Sequence, residues 1–186
     1  MRRLVVLAVA LTALVASGCG GEKSGEATFA STEGIYLTIN KLTYQIQMSR
    51  YLNGHDIEDE EYLKGLPAGT APPRGDSVWF GVWMRVENQT GGTLPSANTY
   101  EIVDTQHNVY RPIPLNTSIN PFALRLGVDV PAGELVPFPS SAAGQGPIQG
   151  SLILFKIKTE SLQNRPLQLH FSNGGGSQVG TYDLDV

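Results

Sequence analysis

The densest group of chemically capable side chains lies at residues 55–61, which read HDIEDEE and hold one histidine and five carboxylates. Clustered carboxylate oxygens are the ligands that Ca²⁺ prefers in proteins. An EF-type loop, however, places its acids at alternating positions around a central glycine, and this run has neither feature. The run alone therefore does not predict a calcium loop, although a site completed by distant loops stays open.

The same run has the residue order of a short helix. Asp56 can cap the N-terminus, Glu58 and Asp59 fall in the first turn, Lys64 falls in the last turn, and Gly65 follows. Acids are favoured at the positive N-terminal end of a helix, and bases at the C-terminal end. The order predicts one short helix near 56–65 within a solvated insertion at about 51–75.

The other residue types that support metal binding or catalysis are scattered along the chain. The three histidines (His55, His107 and His170) have no helical or hairpin ligand spacing. Met48 and Met84 alternate with apolar residues and are expected in the core. The chain has no Gly-x-Ser-x-Gly motif, and its one cysteine is close to the N-terminus. We expect a protein that is not an enzyme and has no cofactor or metal.

Two tryptophans form a candidate binding patch. In SVWFGVWMRVE (77–87), one face carries alternating apolar residues, and the other carries Trp79, Gly81, Trp83 and Arg85. If the apolar face fills the core, Trp79, Trp83 and Arg85 point the other way, and exposed aromatic pairs can bind sugars or proteins. The alternative is that the insertion folds over the tryptophans, with Leu66, Pro67, Pro72 and Pro73 as a lid, because folded domains seldom expose large apolar patches.

A period of two dominates the chain from residue 33 onward. Strand-length runs with β-branched and aromatic residues recur at 35–39, 42–48, 77–87, 99–104, 109–113, 122–128, 151–159, 166–171 and 181–186. Turn sequences rich in glycine, proline, asparagine and aspartate separate them. About eight short strands spaced in this way predict an all-β, immunoglobulin-like β-sandwich with one short helical insertion.

The N-terminus has the features of an export signal. Arg2 and Arg3 precede a twelve-residue apolar run at 4–15, which is too short to span a bilayer as a transmembrane helix. The run ends in Ala16-Ser17-Gly18-Cys19, which resembles the lipobox of bacterial lipoproteins, and the resemblance implies cleavage before Cys19 and acylation of its thiol. We therefore expect a signal peptide at 1–18, a flexible tether at 19–32 and the folded domain at 33–186.

Charge restricts the possible partners. The full chain has a formal net charge of −4, and loss of Arg2 and Arg3 leaves 11 basic and 17 acidic residues, a net charge of −6. Phosphate backbones require clustered lysine and arginine, which the chain lacks, so a nucleic-acid partner is not expected. An acidic surface also disfavours contact with anionic lipid. The expected membrane contact is the acyl anchor, with the domain facing outside the cytoplasm.

The order of the later motifs resembles a known family. A strand ends in Val86-x-Asn88, a corner contains Asp104, Asn108 and Tyr110, and a turn at Pro131–Gly133 precedes the strand 150–157 (GSLILFKI). This arrangement is similar to the telokin-like, immunoglobulin-fold domains of unknown function found on secreted bacterial lipoproteins. The resemblance covers most of 33–186, and it implies a fold but no catalytic residues.

Three functions are consistent with these features. The first is a lipid-anchored lipoprotein on the outer side of a cell membrane, with a non-catalytic binding or interaction domain whose ligand is open between a protein and a cell-wall glycan. The second is a carbohydrate or cell-wall glycan module that uses Trp79 and Trp83. The third is a metal-binding or hydrolytic envelope protein built around the insertion.

Overall fold

A computed structural model describes residues 27–174 and 178–185. The signal peptide predicted at 1–18 and the lipid attachment at Cys19 lie outside the described residues. The described elements are mostly strands, with two short helices and one 3-10 turn.

The element bounds are as follows: β1 Phe29–Ala30, β2 Tyr36–Ile39, β3 Leu42–Leu52, α1 Ile57–Tyr62, β4 Ser77–Glu87, β5 Leu94–Pro95, β6 Thr99–Val103, β7 Val109–Tyr110, β8 Asp129–Val130, β9 Leu135–Val136, α2 Ala142–Gln145, β10 Ser151–Lys158, a 3-10 turn at Thr159–Leu162, β11 Leu167–Ser172 and β12 Val179–Leu184.

Two main sheets face each other. The terminal sheet has the order β1-β12-β11-β6-β7, and the central sheet has the order β10-β4-β3-β2, with β9 also paired to β4. Within the terminal sheet, β7-β6-β11-β12 corresponds to the C′-C-F-G order of an immunoglobulin-like sheet. An all-β sandwich with one short helical insertion is therefore confirmed.

The core between the sheets comes from the alternation seen in the sequence. On β4, the predicted inward residues Phe80, Val82, Met84 and Val86 are buried. They face apolar side chains of the terminal sheet, the largest of which are Tyr100, Phe171 and Tyr182. Burial of this apolar surface is the main force that holds the two sheets together.

Several boundaries differ from the prediction. The segment 122–128 forms no strand beyond an isolated bridge between Ala123 and Leu152. The folded part also begins before Glu33, because Phe29–Ala30, which the sequence analysis assigned to the tether, pairs in parallel with β12. The described residues contain twelve strands, five of which (β1, β5, β7, β8 and β9) are two-residue pairings, too short to show an alternation.

A bulge in β3 changes which side chains face the core. The pairing of β3 with β4 is in register up to Ile46 and shifts by one residue before Met48. A one-residue shift moves the following side chains to the opposite face. Met48 is consequently 39% exposed rather than in the core, and Arg50 and Leu52 come to lie opposite Gly81 and Trp79 on the outer face of the central sheet.

Candidate functional site

The outer face of the central sheet carries a second apolar cluster. Trp79 is 4% exposed and Trp83 is fully buried, so the two side chains do not form the exposed patch that one interpretation of the sequence required. The outer cluster consists of buried Leu52, Tyr62, Trp79, Trp83, Leu152 and Leu154, with six partly buried apolar residues packed around them. The insertion supplies Tyr62, Leu63 and Leu66 to the cluster, as the lid alternative requires.

Gly81 makes room for one of these tryptophans. A Cβ atom built at Gly81 would lie 2.8 Å from two carbons at the outer edge of the Trp83 indole, so this part of the ring occupies the space beside the glycine. The Tyr62 and Trp83 rings pack edge to face, with 5.1 Å between their centroids. The space that Gly81 leaves between the two tryptophans on this face is therefore occupied by the Trp83 ring.

Helix α1 is fixed to the sheet by an ion pair. Asp56 caps the helix by accepting hydrogen bonds from the backbone N–H groups of Glu58 and Asp59, as the sequence predicts. Asp59 was expected to be solvated but is 5% exposed, because its carboxylate accepts hydrogen bonds from both terminal nitrogens of Arg50. Burial raises the pKa of Asp59, but the hydrogen bonds from Arg50 and from the Asn53 N–H outweigh that effect and leave it lowered.

The Arg50 guanidinium also contacts the Trp83 ring of the outer cluster. Its carbon lies 5.4 Å from the centroid of the Trp83 ring, within the range of a cation–π contact. One arginine therefore joins α1, through Asp59, to the tryptophan that α1 covers. The bulge in β3 makes this possible, because it turns Arg50 towards the outer face.

A second segment, residues 113–122, covers the rest of the cluster. Ile113, Leu115 and Phe122 pack against the cluster, and the Phe122 ring contacts Tyr62 at 5.0 Å. The buried Asn120 amide donates hydrogen bonds to the carbonyl oxygens of Tyr62 and Lys64, each at 2.9 Å. The lid thus has two parts that hydrogen-bond to each other, and the sequence identified only the insertion.

Lys156 closes the lid at the Trp79 end. Its Nζ lies 5.9 Å from the Trp79 ring centroid and donates a hydrogen bond to the Ala71 carbonyl at 3.1 Å. A cation above the indole and apolar side chains around it leave no open ring face for stacking on a sugar. Trp79 is accessible only at the margin of the lid.

A groove of about 340 Å³ opens at that margin, between the insertion and the start of β4. Its lining is mainly apolar, with Leu52, Leu63, Leu66, Pro72, Pro73, Val78 and Trp79, together with the polar residues Asn53, His55, Thr70 and Ser77 and the backbone of Gly54. A concave, mostly apolar site of this size with a few polar groups is typical of a ligand site. Of the lining side chains, only His55 is titratable.

A second groove of about 300 Å³ lies on the other side of the lid. It is lined by residues 112–115, 117 and 124–126 and by the middle of β10, and Leu126 at its edge is 37% exposed. The two grooves flank the two-part lid.

The remaining candidate residues are separate from this cluster. Arg85 is half-buried on the outer face, beyond the lid, where it lines a smaller cavity. His55 is in the first groove, His107 is in the turn between β6 and β7 with a positive φ of 62°, and His170 contacts Gln168 in β11.

Over residues 27–174 and 178–185, no three acidic, histidine or cysteine side chains are grouped as metal ligands. In that same part of the chain, no helix has the length and apolarity needed to cross a bilayer.

No protein-family model and no curated protein match the chain. Among solved structures it is similar to the yjhA protein of Bacillus subtilis, with a TM-score of 0.55, 12% identity, and coverage of 84% of this chain and 100% of that one. An uncharacterised β-sandwich protein from Clostridium difficile matches with a TM-score of 0.45, 13% identity, and coverage of 88% and 100%. A proposed lipoprotein (ycdA) from Bacillus subtilis matches with a TM-score of 0.48, 13% identity, and coverage of 81% of this chain and 38% of that one. The similarity to the yjhA protein shows a shared fold, and this chain is a β-sandwich domain.

Proposed function

We propose that this protein is a lipid-anchored lipoprotein, outside the cytoplasm, whose β-sandwich binds a partner without catalysis. The binding site is the groove beside Trp79, and the ligand is a protein segment that inserts an apolar side chain there. The observation that carries this proposal is the groove itself, which is open, mostly apolar and bordered by the lid.

The lining favours an apolar side chain over a sugar. Leucine and proline walls offer dispersion contacts to an apolar group but few hydrogen bonds to hydroxyls. Asn53 and His55 at the rim are exposed and can bond to the backbone of a bound segment. Trp79 and Trp83 are buried, which argues against a glycan module that uses an exposed tryptophan pair.

The membership of the telokin-like family remains part of the proposal. Two of the motif residues behind that resemblance have structural roles: buried Asn88 donates hydrogen bonds to the carbonyls of Gly92 and Val130, and Asp104 forms the corner network of β6 and β7. These roles support the fold and imply no reaction.

The groove is tested by blocking it. Thr70→Trp fills the groove at a half-buried position, and Thr117→Trp makes the same change in the second groove as a control. In amide NMR titrations with N-acetylphenylalaninamide, we expect shifts at Gly54, His55 and Thr70 in the wild type and in Thr117→Trp, and none in Thr70→Trp. Shifts spread over the surface, or identical shifts in all three proteins, would contradict the groove as the site.

The anchor is tested through its cysteine. Because Cys19 is the only cysteine in the chain, a clickable fatty acid fed to producing bacteria should label the wild type and leave Cys19→Ser unlabelled. The Cys19→Ser protein should also move to the soluble fraction of the cell envelope. Equal membrane partition of the two proteins would overturn the lipid anchor and leave the groove untouched.

A further inference from the structure

Arg85 differs from the other cations on the outer face of the central sheet. Arg50 bonds to Asp59, and Lys156 bonds to the Ala71 carbonyl. Across 27–174 and 178–185, no carboxylate oxygen lies within 4.0 Å of the Arg85 side chain, and its N–H groups have no acceptor. None of its nitrogen atoms is both buried and unpartnered, so the guanidinium reaches solvent and its five donors are accessible to a ligand.

The side chains next to Arg85 on the sheet form hydrogen bonds with groups other than its guanidinium. Gln45 lies directly opposite Arg85 on β3, and its amide nitrogen donates to the Gly34 carbonyl at 2.7 Å. The Gln45 oxygen accepts a hydrogen bond from Gln47 at 2.5 Å. Glu87, two residues along β4, accepts from Gln89 at 3.1 Å. These neighbours bond to other groups, and none of them forms an ion pair with the Arg85 guanidinium.

The cavity next to Arg85 has walls suited to a small anion with an apolar substituent. It has a volume of about 190 Å³ and is lined by Arg85, Leu135, Pro137, Pro139, Gly144 and Gln149. Arg85 enters from the sheet, and the connection from β9 to β10 supplies all the other residues except Leu135. Leucine and proline lower the local polarity, which strengthens the attraction between a guanidinium and an anion. The exposed Gln149 amide is a second donor at the rim.

We propose that this cavity is a carboxylate-binding site in which the Arg85 guanidinium forms two parallel hydrogen bonds with the carboxylate, and an apolar substituent rests on Pro137 and Pro139. The planar fork of arginine matches a carboxylate in this geometry. A phosphate dianion fits less well, because one guanidinium supplies a single positive charge and Glu87 is nearby. The site is independent of the groove beside Trp79, from which it lies six residues along β4, roughly 20 Å.

The test compares matched acids and amides on the full chain. We expect N-acetylleucine to shift the amide resonances of Gly144 and Gln149, with a salt-dependent affinity, and the uncharged N-acetylleucinamide to shift neither. Glucuronate distinguishes a sugar carboxylate from an amino-acid carboxylate, and inorganic phosphate tests the class of anion. Equal shifts with the amide, or tighter binding of phosphate than of carboxylate, would overturn the proposal.

Variants locate the binding on one side chain. Arg85→Gln should weaken N-acetylleucine binding on the order of tenfold or more, and Arg85→Lys should weaken it less, since the charge stays but the fork is lost. The control is Arg125→Gln, an exposed arginine in the second groove. Unchanged binding in Arg85→Gln would refute the site. If Arg85→Gln does not fold, the acid–amide comparison in the wild type and the affinity of Arg85→Lys decide whether the carboxylate site exists. The groove beside Trp79 is tested separately by Thr70→Trp, so failure of one proposal leaves the other standing.

Discussion

Buried hydroxyl groups differ sharply in how well the core satisfies them. The Tyr44 hydroxyl accepts a hydrogen bond from the Ala97 N–H at 2.9 Å, and burial raises its pKa to about 12 even though that bond acts to lower it. The Tyr100 hydroxyl is buried and has no partner among the described residues. Because both rings pack against Phe171, the pair allows the hydrogen bond to be separated from the packing.

Tyr44→Phe should therefore destabilise the protein, whereas Tyr100→Phe should not. Tyr44→Phe leaves the Ala97 N–H buried without an acceptor and should lower the free energy of unfolding by about 1–3 kcal/mol. Tyr100→Phe removes an unsatisfied polar group and should leave that free energy unchanged or raise it. Urea unfolding followed by circular dichroism compares the two variants, and an equal loss in both would contradict the assignment of their hydrogen bonds.

Asp104 organises the corner between β6 and β7. Its carboxylate accepts hydrogen bonds from the Ser161 hydroxyl at 2.6 Å, the Asn108 amide at 2.8 Å and the backbone N–H groups of Gln106 and Asn108. Burial raises the pKa of Asp104, but these hydrogen bonds outweigh burial and hold it well below its ordinary value. The ionised form is thus strongly stabilised in the folded state.

Asp104→Asn should destabilise the domain in a pH-dependent manner. A lowered folded-state pKa contributes stability above the unfolded pKa of about 3.9, and that contribution is lost as pH falls towards the folded value. The variant should be less stable by on the order of 3 kcal/mol at pH 7, and the gap to the wild type should narrow below about pH 4. Unfolding midpoints from pH 7 to 3 measure this gap, with Asp129→Asn at an exposed position as control; a gap independent of pH would count against an ionised Asp104.

At the scale of elements, Asn120 holds together the two parts of the lid, which are the insertion and the segment 113–122. Asn120→Ala leaves the carbonyls of Tyr62 and Lys64 unpaired and should cost about 2 kcal/mol. Backbone amides of 57–66 should then exchange hydrogen faster than those in the middle of β4. Asn116→Ala is the matched control, because within the described part of the chain its side chain bonds only to the Ser118 N–H, whereas its backbone makes the contact with Gly65. Similar amide exchange rates at 57–66 in the two variants would show that Asn120 does not hold the lid in place.

The parts of this architecture that were predictable are those with a local signature. The alternation in 77–87 indicates which face of β4 is buried between the sheets, and the order Asp56, acids, Gly65 predicts α1. The segment 113–122 was missed because its apolar residues follow no helical or strand period, and its role depends on contacts with residues distant in sequence. The ion pair of Asp59 with Arg50 and the exposure of Met48 both depend on the bulge in β3, which no local sequence pattern predicts. The burial of the tryptophans was one of two open alternatives, since the pattern shows that they share a face but not what covers it.

The sandwich as a whole is closed by residues from both ends of the described chain. β1 pairs in parallel with β12, the Thr181 N–H donates to the Thr28 carbonyl at 2.8 Å, and Ala30 is buried in the core between the sheets. The Thr32 hydroxyl also donates to the Asp185 carboxylate at 2.6 Å. These contacts make residues 28–32 part of the fold, although their composition resembles that of a tether.

Two truncated chains measure the contribution of this pairing. A chain that begins at residue 27 keeps β1, whereas one that begins at residue 33, the boundary expected from the sequence, loses Ala30 from the core and leaves β12 as an unprotected edge strand. We expect the shorter chain to be less stable by about 1–3 kcal/mol, because backbone hydrogen bonds and a buried side chain are lost together. The exposed edge of β12 should also increase its tendency to associate, which sedimentation at increasing concentration would detect. Equal unfolding midpoints for the two chains would show that β1 adds nothing to the sandwich and would return the start of the folded domain to Glu33.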